Sequence, residues 1–143
     1  MTVLAHMAVG GAVGTLVEGR GAPFALGLAS HVLLDVIPHY EFDKVWIETA
    51  IAVGVLGSML ALGHGGTAVF WGALGGAVPD IENFLWRRGV LPGRWKVFPG
   101  HARWLGRFLP HGRRLSVRHV WWQAVLVAAS VLVWAHGLAR AGG

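Results

Sequence analysis

The chain has 143 residues, of which 55% are hydrophobic and only 13% charged, with a mean hydropathy of +0.56 and a formal net charge of +5. Soluble domains carry about 25% charged residues, so this composition argues against an ordinary soluble enzyme. The absence of cysteine excludes disulfides and thiolate metal sites, and 22 glycines without a G-X-Y period exclude a collagen. Any metal in this protein has to be held by imidazole and carboxylate, and eight histidines are available.

Taken in order, residues 1–17 contain no Asp, Glu, Lys or Arg and predict a first helix over 2–18. No basic segment precedes this apolar run and no small-residue cleavage site follows it, so it does not read as a signal peptide. After the turn Glu18-Gly19-Arg20-Gly21, a second helix is predicted over 23–38. Pro23 suits a first helical turn and Pro38 ends the helix. Residues 49–79 are again free of formal charge. A membrane-crossing helix takes about 17–25 apolar residues, so this run is too long for one. Gly63-His64-Gly65-Gly66 breaks it into helices over 44–62 and 67–88, the latter kinked at Pro79. A fifth helix is predicted over 116–139. The expected fold is all-α: a polytopic membrane bundle of about five transmembrane helices forming a single domain, with a basic loop over 89–115.

Residues 87–118 hold nine of the twelve Lys and Arg and no acid. Lys/Arg bias marks the cytoplasmic side of a membrane protein. Alternation from that loop puts the amino terminus in the cytoplasm and predicts a multi-pass protein of the inner membrane. Trp86, Trp95, Trp104, Trp121 and Trp122 read as an interfacial aromatic belt. The alternative is an Arg/Trp surface for anionic headgroups or a substrate phosphate. Nucleic acid fits less well as a partner, because the basic segment abuts apolar spans.

Within these spans the polar residues carry the chemistry. His31, Asp35 and His39 lie at i, i+4 and i+8, which places them on one helix face, a turn apart. Ionisable groups in membrane segments face a bundle interior, a cavity or a partner. In the predicted topology His6, His31, Asp35, His39, Asp80, Glu82 and His119 all fall near the cytoplasmic ends of their helices. His6, His31, Asp35 and Asp80 are therefore expected as metal ligands. His119 is the first choice among the later histidines His101, His111 and His119, and Glu82 is expected to handle protons. The plainer alternatives are a His31–Asp35 hydrogen bond inside the bundle, helix capping by Asp80 and Glu82, and exposed loop histidines. Gly10-x3-Gly14 and Gly72-x3-Gly76 are small-residue faces that let helices approach closely.

The early His6, the motif Ser30-His31-x3-Asp35-x2-Pro38-His39 and the motif Gly76-Ala77-x-Pro79-Asp80-Ile81-Glu82 resemble the bacterial inner-membrane metal-dependent hydrolases of the YdjM type. The His-x3-Asp element is also similar to one in zinc-dependent phospholipases C. The resemblance covers residues 4–84. It implies a small polytopic membrane hydrolase with a divalent-metal site, and carries the ligand role onto His6, His31, Asp35 and Asp80. Those relatives have a His-Arg-x3-His-Ser segment after the Pro-Asp motif; here the later histidines are more widely spaced.

Mixed nitrogen and oxygen ligands favour Zn²⁺, with Mn²⁺ or Fe²⁺ as alternatives. A site at the cytoplasmic headgroup level implies membrane lipid as the surroundings. It also implies an amphiphilic substrate, such as a phospholipid or isoprenoid phosphate. Two other readings are a metal-binding scaffold without catalysis and a metal or proton transporter. A through-path needs ionisable groups across the whole bilayer depth, and the outer half offers only His64 and His136.

Overall fold

The computed structural model describes residues 1–98 and 111–141. These residues are helical, with no strand among them. The five helices are α1 (Val3–Gly14), α2 (Gly21–Val36), α3 (Val45–Ala61), α4 (Ala68–Arg87) and α5 (Trp121–Ala141). The predicted His101, and Trp104 in the basic loop, lie outside the described residues.

The helix ends follow local chemistry. α1 stops at Gly14, four residues earlier than predicted, because the chain tightens into i→i+3 bonds from Leu16 and Val17 and then turns at Gly19 with φ +82°. α2 ends at Val36, and Ile37 is extended, as expected of a residue preceding proline. Thr67 caps α4 by accepting the N–H of Phe70 at 3.2 Å. α4 runs as one helix from Ala68 to Arg87, with Pro79 buried inside it. Proline removes one N–H and crowds the carbonyl four residues back. That residue is Gly75, which has no side chain to add to the crowding.

α1 and α2 both lie against α4, and glycine is why they fit. A Cβ on Gly10 would sit 2.5 Å from the Gly72 carbonyl oxygen, and one on Gly76 would run into the His6 carbonyl. The backbones of α1 and α4 therefore touch through Gly10, Gly72 and Gly76. Such close approach gains dispersion energy over a long seam. Val3, Met7, Ala52, Ala73 and Ala77 form the buried core between α1, α3 and α4. α5 leans on α1 through Trp134, whose indole N–H donates to the Ala8 carbonyl at 2.8 Å while its ring fills the notch at Gly11.

Among the described residues, one stretch is both long and apolar enough to cross a membrane: Val117–Arg140, which contains α5. α1, α2 and α3 are apolar but shorter. α4 carries Asp80, Glu82 and Arg87 in its second half.

Candidate metal centre

The close seam between α1, α2 and α4 brings three polar side chains into one buried place. His6, His31 and Asp80 each offer a donor atom, and these atoms lie within 4.8 Å of one another. His6 and His31 are fully buried and Asp35 is 3% exposed. Their rings stack with centroids 3.6 Å apart and planes 14° from parallel. Asp35 faces both, with Oδ1 3.1 Å from His6 Nε2 and Oδ2 3.2 Å from His31 Nε2. The i, i+4 spacing on α2 thus produces contact between His31 and Asp35.

A second group stands beside the first. Asp35, His39 and His111 also offer donor atoms within 4.8 Å of one another. Backbone pairing explains how His111 arrives. Gly112 N–H donates to the Asp35 carbonyl at 2.5 Å, His39 N–H to Arg113 at 3.1 Å, and Leu115 N–H to His39 at 2.7 Å. A side chain at position 112 would collide with the Ile37 carbonyl, so this staple requires glycine. The His39 and His111 rings meet edge to face at 4.8 Å. Both Nε2 atoms point at Glu41 Oε1, at 2.8 and 3.3 Å respectively, and His111 Nε2 lies 3.7 Å from Asp35 Oδ2. The amino group of Met1 is 3.3 Å from Asp35 Oδ1 and 3.5 Å from Glu41 Oε1.

The imidazoles share one orientation. His31 Nδ1 lies 2.7 Å from the Gly76 carbonyl, His39 Nδ1 2.6 Å from that of Ile37, and His111 Nδ1 3.2 Å from that of Gly112. A carbonyl only accepts, so Nδ1 carries a proton in all three rings and Nε2 turns to the carboxylates. Metal-binding histidines are held this way, with the outer N–H on a carbonyl and the other nitrogen offered to the ion. Two further atoms make no hydrogen bond although both are buried: Nδ1 of His6 and Oδ2 of Asp80. Buried polar atoms are expensive to leave unsatisfied, by about 1–3 kcal/mol each. The donor set could therefore hold a metal ion.

Charge in the adjoining loop agrees. Burial opposes ionisation of Glu41, but the hydrogen bond to His39 and the nearby amino terminus and His111 outweigh it, pulling its carboxyl down to about 2. A cavity of about 310 Å³ opens beside the cluster, lined by Glu41, Glu48, Asp80, Asn83, Arg87 and His111 among others. Glu48 is fixed there, since its carboxylate accepts the N–H of Val3 at 2.7 Å and of Phe42 at 3.3 Å. Arg114 is engaged elsewhere, with Asp43 at 2.6 Å and the Glu41 carbonyl at 2.8 Å.

The sequence-predicted residues thus divide. His6, His31, Asp35 and Asp80 come together. His119 does not join them: it is exposed at the entrance to α5, its Nδ1 3.1 Å from Ser116 Oγ. Glu82 also lies elsewhere. α4 continues through Pro79, so residues 80 and 82 point about 200° apart. The Glu82 carboxylate accepts the N–H groups of Val97 and Phe98 at 2.7 and 3.1 Å and clamps that segment to the helix. Sequence reasoning passed over Glu41 and Glu48. For Glu41 a signal existed: in an extended segment residues two apart share a side, and Glu41 follows His39 by two. No family model matches the chain, and no curated protein or solved structure is significantly similar to it.

Proposed function

We propose that this chain is an integral membrane protein that binds a divalent metal, zinc above all, at the His6–His31–Asp80 group. We further propose that it hydrolyses an amphiphilic ester or phosphoester at the cytoplasmic headgroup level. The observation that carries the reading is the shared orientation of the imidazoles. The Nδ1–H groups of His31, His39 and His111 are spent on backbone carbonyls, and their Nε2 atoms face carboxylates. The motif resemblance to the YdjM-type hydrolases points the same way.

The membrane part is supported by the stretch Val117–Arg140. Only 11% of its apolar window is covered by the rest of the chain, and Leu132 and Val125 are 74% and 61% exposed. Water is a poor neighbour for such a surface and lipid a good one. The excess of Lys and Arg over residues 87–118 then orients the amino terminus to the cytoplasm.

The chemistry follows from the groups around the cavity. Bound at the cluster, a divalent ion supplies Lewis acidity towards an ester or phosphoryl oxygen and acidifies a water molecule. Carbonyl hydrogen bonds hold the rings of His31, His39 and His111, and Asp80 and His111 line the adjoining cavity. Arg87, at the cavity wall, suits an anionic phosphoryl group. Glu48 lines the same cavity and is the carboxylate placed to accept a proton. Glu82, on the opposite face of α4, is not.

The test uses the protein purified in detergent and in nanodiscs. Metal content is measured by mass spectrometry, and hydrolysis is assayed on fluorescent phospholipids and isoprenoid phosphates. Metal bound in stoichiometric amount, with turnover abolished by chelation and by Asp80→Asn, is the expected result. Purified protein without metal, which takes none up on reconstitution, overturns the reading. Metal without turnover on any substrate would favour the scaffold.

A further inference from the structure

We propose that the cluster holds two divalent cations, the second at Asp35, His39 and His111, with the Asp35 carboxylate between the two positions. This rests on the metal-dependent reading above and goes beyond it in number, ligands and architecture.

The second position is built by a different part of the chain from the first. His6, His31 and Asp80 come from α1, α2 and α4. His39 comes from the extended segment after α2, and His111 from the strip stapled to that segment by three backbone hydrogen bonds. The staple has a strict requirement, glycine at 112, and its result is to deliver the neighbouring imidazole to Asp35 and Glu41. His39 is fully buried, and its Nδ1–H is committed to Ile37. Its Nε2 faces the Glu41 carboxylate at 2.8 Å. Carboxylate oxygens of two different residues, Asp35 and Glu41, lie within 3.7 Å of the same His111 nitrogen. Two anions so close call for positive charge between them. The Met1 amino group supplies part of it, at 3.3 Å from Asp35 and 3.5 Å from Glu41, and a divalent cation would supply more.

Asp35 makes the pair one centre. Its Oδ1 is against His6 and its Oδ2 lies between His31 and His111. A carboxylate used from both oxygens holds two ions about 3.5–4 Å apart, the separation found in two-metal hydrolytic sites. First-shell donors lie about 2.0–2.2 Å from zinc. Drawing donors now within 4.8 Å of one another onto one ion therefore asks for side-chain shifts of only about 1 Å. Glu41 is available as a further ligand of the second ion.

The experiment is metal stoichiometry, with a spectroscopic readout independent of turnover. Purified protein in detergent is loaded with Zn²⁺ for counting and with Mn²⁺ for electron paramagnetic resonance. The expected result is two ions per chain and an exchange-coupled manganese spectrum. His111→Ala and His39→Ala should each fall to one ion with an isolated-manganese spectrum, and Asp80→Ala should lose the other. One ion in the wild-type chain, with an uncoupled spectrum and no loss in His111→Ala, overturns the second position and leaves the single-metal hydrolase intact. No ion at all overturns both. The wild-type spectrum alone decides the matter if a variant fails to fold.

Discussion

His31 donates its Nδ1–H to the carbonyl oxygen of Gly76 across 2.7 Å, so a metal-ligand candidate hangs directly on the glycine seam of the helix packing. Gly76 plays two parts. Its carbonyl fixes the tautomer of His31, and its missing side chain lets the α1 backbone reach α4 at His6. Gly76→Val should therefore lower stability by about 1–3 kcal/mol through overpacking. It should also weaken metal binding by roughly 10–100-fold through the displaced supporting bond. Gly54→Ala, at a position with open space on α3, is the control: it should leave metal binding unchanged and raise stability by up to about 1 kcal/mol. Thermal unfolding in detergent and metal titration read the two effects separately.

Asp80 and Glu82 should behave as different kinds of residue. Asp80→Asn removes a carboxylate with a buried, unpartnered oxygen and should cost most of the bound metal. Glu82→Gln keeps one acceptor for Val97 and Phe98, and should leave metal content unchanged and turnover within a few-fold. Equal metal loss in the two variants would show that Glu82 reaches the cluster.

His119→Ala should retain the full complement of metal, because His119 is exposed and bonded with Ser116. His111→Ala should not. Metal analysis of the two purified variants side by side makes the comparison, and a loss in His119→Ala would restore the reading drawn from sequence.

The metal-free protein should show an acid-sensitive component from Glu41. Its carboxyl is held at about 2 in the fold against an ordinary 4.5. A depressed carboxyl contributes stability that is fully present above its unfolded value and is lost as pH falls from about 4.5 through about 2. Glu41→Gln should flatten the melting temperature across that window. A wild-type profile that is already flat there would show that the contact with His39 is not formed in solution.

Adding back metal should raise the melting temperature of the stripped protein. An ion present at 100 times its dissociation constant contributes about 2.7 kcal/mol. The same addition to an Asp35→Ala variant should have much less effect. Calorimetry with and without chelator makes the measurement.

The part of this arrangement that lies within single helices was legible in the sequence. His31 and Asp35 were visible because four residues make one turn, and Asp80 because a carboxylate stood in an apolar run. The glycine spacings announced that α1 and α4 would touch, and with that contact came His6. What could not be read was the choice among the later histidines, because it is non-local. His111 reaches the cluster through backbone pairing between residues 111–115 and 35–39, and such pairing leaves no periodicity to read. Glu82 stands apart from Asp80 because residues two apart on a continuous helix point about 200° away from each other. Charge-free runs suggested five membrane spans; all five helices are present, but turns shorten three of the apolar ones, and among the described residues one stretch, around α5, is both long and apolar enough to cross a membrane.

The glycine-dependent staple also bears on the order of events at birth. His6, His31, Asp35, His39 and Asp80 are all synthesised before His111. In a nascent chain the residues of the first group are thus present while the second is still missing a wall. Closure of the centre then marks the arrival of the last third of the protein, and a truncated product would carry a half-built site facing the open cavity.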